Sequence, residues 1–435
     1  MTASAAELPK EMRCERAERP LRIALVYSRI PFPMMRGDQL TVAHLISYYA
    51  ARGHAVDLYT LDVQGEMTPV QDAWLNAHCR QVKIYPHGMP ARIAGALKGL
   101  ARQQPVQVGM FRNARLESDL RAATKRGDYD VIHCYYMRSA PEIPLDLTIG
   151  RDGTAPAGPR VASFLAMQLS QTLNSRRIRD NEKGWLKTRF YTLETELCAR
   201  YEARIWQDFT RSVLIGPADV AAVEEVCRSE RQPVIDNWVY GAHGTDTDKF
   251  QPATPAEIVP GRVIFSGSML YQPNIQAVLW FVEHCWAAVR AAHPQAELIV
   301  QGRDPAPAIR ALDGRDGISV TGTVPDVGVL IRSAAVCINP VLAAGGMQNK
   351  LIEYMACNKA VVATSVANEG IMAPADTLVI ADDPARFAQG VIDLLSNPGQ
   401  AAMLGDKARA YILGNWTWEA HFLKLEMAFR EALRD

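Results

Sequence analysis

Short apolar runs alternate with amphipathic segments along most of the chain. The run from Ile23 to Tyr27 (IALVY) has the continuous apolar character of a strand that is buried on both faces. Residues 40–52 then place apolar side chains at helical spacing, and Gly53 ends that predicted helix. Because another apolar run follows at Val56 to Leu61, this order predicts a βαβ unit, the opening of a doubly wound parallel sheet.

This alternation of strands and helices occurs twice. In the first half, further strands are predicted at 81–85, 130–135, 160–165 and 212–216. A long helix at about 183–206 precedes the last of them. In the second half, after the proline-rich segment QPATPAEIVP, strands are predicted at 263–266, 297–301, 318–321, 336–340, 360–364 and 377–380. The pattern therefore predicts an α/β protein with two Rossmann-like domains.

The length of the chain agrees with two domains. A chain of 435 residues exceeds one compact core and suits two domains of roughly 200 residues each. The predicted segments are a flexible tail at 1–20, an N-terminal domain at 21–250, a C-terminal domain at 251–410 and a C-terminal helix within 411–435.

Composition excludes several classes of protein. Lys plus Arg and Asp plus Glu are equal at 47 each, which argues against a nucleic-acid binder. The eight cysteines include no C-x-x-C pair, so neither a disulfide framework nor a zinc site is predicted. The first 20 residues lack a signal-peptide core, and no apolar run reaches about 18 residues. We therefore expect a cytoplasmic protein.

One glycine-rich segment has the arrangement of a phosphate site. In AAGGMQNKLIE, glycines follow a predicted strand and a helix begins near Gln348, so backbone N–H groups and a positive helix end are exposed. Lys350 is placed to neutralise phosphate charge. Glu353 lies one turn further along the same helix face, where a carboxylate can accept two hydroxyl hydrogen bonds. A glycine turn before an ordinary surface helix is the alternative interpretation.

The residues around this segment carry a family resemblance. The string GGMQNKLIEYMACNKAVVATSVANEGI resembles the donor-binding signature of family 4 (group 1) glycosyltransferases, which have the GT-B fold. It is most similar to that of sugar transferases from exosortase-type exopolysaccharide clusters. The segments RIPFPMMRGDQ, FSGSMLYQPNIQAVLWF, QGRDPAP and VTGTVPDV match in order, and the likeness extends from residue 22 to about 430. GT-B implies two Rossmann-like domains facing a central cleft, with the final helix crossing back to the first.

The resemblance implies a nucleotide diphosphate sugar as donor, bound by the C-terminal domain. Glu353 matches the family glutamate that binds the donor ribose. Lys350, as a catalytic residue, would face the diphosphate together with the backbone N–H groups of Gly346, Gln348 and Asn349. No cofactor is implied.

Other loops would complete the implied donor site. Gly37 lies in the first strand–helix loop of the acceptor-binding N-terminal domain and would pack against the donor phosphates. Gly267 begins the equivalent loop of the second domain. The loop around Gly322 and Thr323 would line the nucleobase.

The chain departs from the family pattern at several positions, two of which are candidate active-site positions. The first Glu of the family's Glu-x7-Glu motif is replaced by Gly345. The family's histidine in the first domain falls at Tyr135, two residues beyond His133. His133 is therefore a candidate catalytic substitute, and a core histidine at a strand end is the alternative.

Charge near the donor has few candidate sources. The loop SGSMLYQPN has no basic residue, so the donor phosphate charge would be neutralised by Lys350, Arg36 or Arg303. A solvated surface arginine is an equal interpretation of Arg303. The D-x-D run from Asp246 to Asp248 resembles a connector turn of the family rather than a metal site. Metal independence is therefore expected.

The implied reaction is transfer of a sugar to a glycan or lipid-linked acceptor, with retention of anomeric configuration, in exopolysaccharide or cell-surface glycan synthesis. Two alternatives remain. A non-catalytic nucleotide-sugar-binding member of a polysaccharide assembly complex would explain the missing glutamate. A nucleotide-sugar epimerase would need a cluster of acid/base carboxylates and histidines that this sequence does not show.

A basic segment in the first domain is a candidate membrane contact. Between Arg92 and Arg126 there are eight Lys or Arg residues and two acids. Apolar residues have helical spacing among the first of these bases, at Ile93, Leu97 and Leu100. A basic amphipathic helix can lie on anionic lipid, here the inner face of the cytoplasmic membrane, and a surface helix that covers the core is the alternative.

Overall fold

Each half of the chain folds around its own parallel β-sheet. The computed structural model describes residues 8, 12, 14–34, 37–63, 67–181, 184–241, 244–269, 271–342 and 347–434. They divide into two compact units. The first comprises Met1–His243 with His421–Asp435, and the second comprises Gly244–Ala420. The boundary between His243 and Gly244 lies a few residues before the predicted boundary at 250/251. The last residues of the chain belong with the first unit.

Seven parallel strands form the sheet of the first unit. They are β1 (Arg22–Tyr27), β2 (Ala55–Asp62), β3 (Gln81–Pro86), β4 (Val131–Tyr135), β5 (Ala162–Gln168), β6 (Arg211–Leu214) and β7 (Trp238–Tyr240). Their order in the sheet is β3-β2-β1-β4-β5-β6-β7. The central strands β4 and β5 are buried along their whole length, as continuous apolar runs predict for a sheet covered on both faces. The strand order reverses between β1 and β4.

Helices cover both faces of this sheet. They are α1 (Gly37–Ala51), α2 (Pro69–His78), α3 (Met89–Ala101), α4 (Val106–Met110), α5 (Ala114–Arg126), α6 (Gln171–Asn181), α7 (Trp185–Ile205) and α8 (Pro217–Ser229). Helices α3 and α4 approach each other closely at glycines. A Cβ atom on Gly99 would lie 2.9 Å from the Cα of Gly109, so side chains at these positions would force the two helices apart.

The second unit has a six-stranded parallel sheet. Its strands are β8 (Arg262–Ser266), β9 (Glu297–Gln301), β10 (Ile318–Gly322), β11 (Val336–Asn339), β12 (Val361–Ala363) and β13 (Val379–Ile380), in the order β10-β9-β8-β11-β12-β13. Its helices are α9 (Gln272–Phe281), α10 (Ala287–Ala292), α11 (Pro307–Arg310), α12 (Val327–Arg332), α13 (Asn349–Ala356), α14 (Ser365–Asn368), α15 (Pro384–Ser396) and α16 (Pro398–Asn415). Both sheets have the topology of Rossmann-like domains, as predicted.

The last helix, α17 (Trp418–Arg434), contributes to the core of the first unit. The Glu426 carboxylate is almost fully buried and accepts hydrogen bonds from Tyr48 Oη at 2.9 Å and Arg52 Nε at 2.8 Å. Burial opposes its ionisation, but the hydrogen bonds that it accepts hold its pKa well below the usual range. Phe429 packs edge-on against Phe164, with ring centroids 4.5 Å apart.

Part of the N-terminal segment packs on the same unit. Ala17 is 8% exposed, and its N–H donates to the Arg52 carbonyl at 2.9 Å. The carbonyl of Arg19 accepts a hydrogen bond from Arg430 at 2.9 Å. Hydrogen bonds therefore connect Ala17 to the residue after α1, and Arg19 to a side chain of α17.

Candidate donor site

A buried lysine lies at the carboxyl edge of the second sheet. Helix α13 places Lys350 in its first turn, where the residue is 9% exposed. Its Nζ donates to Asn274 Oδ1 at 2.7 Å and to Gln348 Oε1 at 3.1 Å, and it lies 5.1 Å from the centre of the Phe265 ring. Burial lowers the pKa of Lys350 to about 8, and the nearby Glu353 opposes that shift.

Within the described part of the chain, the ammonium group of Lys350 contacts no carboxylate directly, although the charge of Glu353 acts on it from one helical turn away. Both of its hydrogen-bond acceptors are neutral amides. An ammonium group has three donors, so one remains for a ligand. A buried cation without an anion is costly, and a phosphate group would remove that cost.

Glu353 lies one turn further along α13 and is partly buried. Burial raises the pKa of its carboxyl group to about 7, and the charges of Lys249 and Lys350 oppose the shift. Its carboxyl oxygens have no hydrogen-bond donor among the described residues, so ligand hydroxyl groups can occupy them. The sequence did not predict the contributions of Asn274 and Lys249, since neither belongs to the glycine-rich segment.

Three strand ends meet beside Lys350. The N–H of Gly267, after β8, donates to the Gln301 carbonyl at 3.0 Å, and the N–H of Gly302, after β9, donates to the Gly322 carbonyl at 3.2 Å. A Cβ atom on Gly267 would lie 2.7 Å from Asn274 Nδ2 and 3.1 Å from Lys350 Cε, so only glycine leaves these side chains in place. Gly322 has a positive φ of 64°.

The remaining residues predicted to contact the donor differ in surroundings. Gln348 is buried and holds Lys350, whereas Asn349 and Thr323 are exposed. Arg303 is also exposed and forms a surface ion pair with Asp304 at 3.5 Å, which favours the surface-arginine interpretation. Gly346, and the substituted position Gly345, lie outside the described residues, as does Arg36.

The predicted connector turn is observed at Asp246. Its Oδ1 accepts hydrogen bonds from the N–H groups of Asp248 and Lys249, at 3.0 and 3.1 Å. This geometry is an Asx turn, in which the side chain mimics a backbone turn. Within the described part of the chain, no cluster of three or more histidine, cysteine or acidic residues has the geometry of a metal site.

His133 lies inside the first unit. The residue is 1% exposed in the centre of β4, and its Nδ1 shares a hydrogen bond of 3.1 Å with the Tyr49 hydroxyl. Burial lowers the pKa of His133 to about 3, so the imidazole is neutral near pH 7. These surroundings favour the core-histidine interpretation. Tyr135, at the position of the family histidine, is likewise buried.

A small cavity adjoins His133 under helix α17. Its volume of about 10 Å³ is about the space of one water molecule. Its lining includes Gln168 and Phe422, and His133 Nε2 and Gln168 Oε1 have no hydrogen-bond partner among the described residues. The cavity is too small for a sugar. Gly37, by contrast, is exposed at the start of α1, where an added Cβ atom would meet nothing within 4 Å.

The second unit matches a known family. Residues 260–397, which include Lys350 and Glu353, match the family model described as "Glycosyl transferases group 1". The matched segment lies within the second unit, Gly244–Ala420. It contains the strand ends and the helix that form the lysine site described above.

Two further comparisons extend over most of the chain. A protein of Klebsiella pneumoniae, described as an uncharacterized 44.6 kDa protein in the cps region, is 21% identical over 406 residues, which cover 91% of this chain and 96% of that protein. The solved structure of a sucrose-phosphate synthase from Thermosynechococcus elongatus superposes with a TM-score of 0.58 at 18% identity, covering 95% of this chain and 99% of that one.

Two further structures share the fold. Anabaena Alr3699/HepE, solved in complex with UDP, has a TM-score of 0.54 at 14% identity and covers 94% of this chain and 100% of that one. WaaG, a glycosyltransferase involved in lipopolysaccharide biosynthesis, has a TM-score of 0.52 at 14% identity and covers 93% and 98%. These matches confirm the predicted α/β fold with two Rossmann-like domains.

Proposed function

We propose that the protein transfers a sugar from a nucleotide diphosphate donor to a glycan or lipid-linked acceptor, as a family 4 enzyme of exopolysaccharide or capsule synthesis. The observation that carries this proposal is the buried Lys350, which contacts no carboxylate directly among the described residues and lies beside Glu353 at the carboxyl ends of parallel strands. Ligands bind at this edge in open α/β sheets. The Klebsiella relative from a cps region supports the polysaccharide context.

Lys350 would act on the leaving group. When the bond between sugar and diphosphate breaks, negative charge grows on the diphosphate, and a nearby ammonium stabilises the transition state more than the ground state. The first N–H groups of helix α13 carry partial positive charge and would also stabilise the diphosphate. We propose that this positive charge replaces a metal ion, so that transfer is metal-independent.

Glu353 would bind the donor ribose. Its oxygens would accept hydrogen bonds from two ribose hydroxyl groups, which would fix the donor relative to Lys350. The acceptor hydroxyl would then attack from the face that the diphosphate leaves, with its proton passing to the donor's own β-phosphate. This route retains the anomeric configuration and requires no protein base, in agreement with the burial of His133.

A donor screen tests the proposal. Purified protein would be titrated with UDP-, GDP- and ADP-sugars, each with and without EDTA, while binding and donor hydrolysis are measured. We expect saturable binding of at least one donor and turnover that EDTA does not abolish. Absence of binding for every nucleotide sugar would refute the assignment of this site.

A non-catalytic donor-binding role is the second candidate. The observation that favours it is Gly345, at the place of the family's first glutamate. Binding without hydrolysis or transfer, for every donor and for lipid-linked and glycan acceptors, would support this role.

We also propose that the first unit contacts a membrane surface through helix α3. Its outward face is apolar, with Met89, Ile93 and Leu97 each more than half exposed. Lys98 is exposed on the same helix, and Arg102 is exposed directly after it. An apolar face flanked by basic residues is typical of helices that lie in an anionic interface. None of the described helices has the length and apolar character that a membrane span requires.

Flotation with vesicles tests this contact. Ile93→Glu combined with Leu97→Glu is expected to reduce binding to vesicles that contain phosphatidylglycerol. Met403→Glu provides a matched control, because Met403 is 63% exposed on α16 in the second unit. Equal flotation of all three proteins would contradict the proposed contact.

A further inference from the structure

Three arginine side chains surround a single aromatic ring in the first unit. The guanidinium carbons of Arg29, Arg92 and Arg138 lie 5.8, 5.8 and 5.2 Å from the centre of the Phe111 ring. The ring is 7% exposed. Since an aromatic face attracts cations, Phe111 offsets part of the repulsion between them.

The negative charge within reach of these arginines is small. Asp38 Oδ2 lies 3.9 Å from Arg29 Nε and 3.3 Å from an Arg138 nitrogen, and it also accepts a hydrogen bond from Tyr27 at 2.8 Å. Among the described residues, no carboxylate forms an ion pair with Arg92. The cluster therefore has three cations and one partnered anion.

Burial makes this excess of positive charge costly. The side chains of Arg29 and Arg138 are 7% and 14% exposed. The Nε atoms of all three arginines are buried without a hydrogen-bond partner among the described residues. Burial, together with the charge of Arg29, lowers the pKa of Arg138. An added anion would supply the missing charge and acceptors.

The cluster lies where parallel sheets bind ligands. Arg29 follows β1 and Arg138 follows β4, and the final residues of these strands, Tyr27 and Tyr135, are paired. This is the point at which the strand order of the first sheet reverses. The crevice outside the carboxyl ends of strands at such a reversal is the general ligand position in open α/β sheets.

Helix α3 connects the cluster to the apolar surface. The same helix directs Arg92 towards Phe111 and exposes Ile93 and Leu97 to solvent. A ligand whose diphosphate is attached to a lipid chain would satisfy both features.

We propose that Arg29, Arg92 and Arg138 bind the diphosphate of a lipid-linked acceptor. This inference rests on the proposed function and assigns its acceptor class. Under this proposal both units recognise phosphate: the second unit binds the donor diphosphate and the first unit binds the acceptor diphosphate. The guanidinium groups would hold the acceptor by charge-assisted hydrogen bonds.

Binding of farnesyl diphosphate, a short prenyl diphosphate, tests the inference. Calorimetry on the full chain would compare farnesyl diphosphate, farnesol, inorganic diphosphate and UDP. We expect both diphosphates without a nucleoside to bind and farnesol not to bind. Arg138→Gln and Arg92→Gln are each expected to weaken farnesyl diphosphate binding by about tenfold or more and to leave UDP binding unchanged.

Arg121→Gln is the matched control, because Arg121 is a half-exposed arginine of the same unit that is already paired with Asp146 at 2.8 Å. Its affinity for each of the four compounds should equal that of the unmodified protein. If Arg138→Gln does not fold, as judged by thermal unfolding, the partly exposed Arg92 decides the test through Arg92→Gln.

The inference would be overturned if farnesyl diphosphate did not bind, or if Arg92→Gln bound it as tightly as the unmodified protein does. It would also be overturned if the arginine variants lost UDP affinity in parallel, because the arginines would then belong to the donor site. Binding of inorganic diphosphate but not of farnesyl diphosphate would assign a free anion instead of a lipid. A protein that binds UDP but no prenyl diphosphate would refute this inference alone, whereas loss of all nucleotide binding would refute the proposed function.

Discussion

Lys350, on helix α13, and His133, within strand β4, are both buried titratable residues, yet their surroundings differ. Lys350 is held by two amide oxygens that accept from its ammonium group, and burial lowers its pKa only to about 8. His133 shares one hydrogen bond with a tyrosine, and burial lowers its pKa to about 3. A buried group is prepared for ionic chemistry only where neighbouring atoms stabilise its charged form.

Replacement of Lys350 should have the largest effect. Lys350→Ala is expected to lower turnover by about 10²- to 10³-fold, because one positive donor to the leaving diphosphate is lost. Donor hydrolysis under saturating conditions measures this. Lys407→Ala, which removes an exposed lysine paired with Asp376, should leave turnover unchanged. Unchanged affinity and rate in Lys350→Ala would mean that the diphosphate binds elsewhere.

Glu353 should affect donor binding more than turnover. Glu353→Gln is expected to weaken donor binding by about 1–3 kcal/mol through lost ribose hydrogen bonds. Its pKa of about 7 predicts a pH dependence. Below that pH the carboxyl group is protonated and loses acceptor capacity, so donor affinity should fall as pH decreases through 7. Calorimetry from pH 6 to 8 should show this slope, and Glu353→Gln should remove it.

Crowding at Gly267 should have an intermediate effect. Gly267→Ala places a methyl group against Asn274 and Lys350 and should displace the amide that holds the ammonium. Donor affinity is expected to fall by about tenfold, as for loss of one charged hydrogen bond. Gly399→Ala, where a Cβ atom meets nothing within 4 Å, is the control. Equal affinities would show that Asn274 is not needed to position Lys350.

His133 should have the smallest effect on chemistry. His133→Gln is expected to lower the free energy of unfolding by about 1–3 kcal/mol, because the Tyr49 hydroxyl loses a buried partner. Turnover per folded molecule should change little. Denaturant unfolding and active-site titration separate the two effects. A large loss of turnover in fully folded protein would make the cavity under α17 part of the active site.

The sequence predicts the two sheets well because buried parallel strands are continuous apolar runs. The strand predicted at Ile23–Tyr27 and the helix predicted at about 183–206 correspond to β1 and α7. In the second unit, a π-helical turn at Val282–Trp286 joins α9 to α10. Periodicity identifies an element, but it does not specify how a long helix adjusts to its neighbours.

The sequence indicates those residues of the candidate site that adjoin along the chain. The glycine-rich segment led directly to Lys350 and Glu353, whereas Asn274 reaches Lys350 from a helix 76 residues away in the chain. The role of Arg92 is likewise not predicted by the sequence, because the spacing of basic residues around it predicts only a basic surface. Its position over Phe111 depends on how tightly α3 and α4 pack at their glycines.

The buried carboxylate of Glu426 has a consequence for biosynthesis. Its partners Tyr48, Arg52 and His54 are made early, whereas Glu426 is among the last residues translated. The first unit therefore cannot complete its core while the ribosome is still adding the second, although domains commonly fold in order of synthesis. A nascent chain stopped at Ala420 should contain a protease-resistant second unit and a protease-sensitive first one.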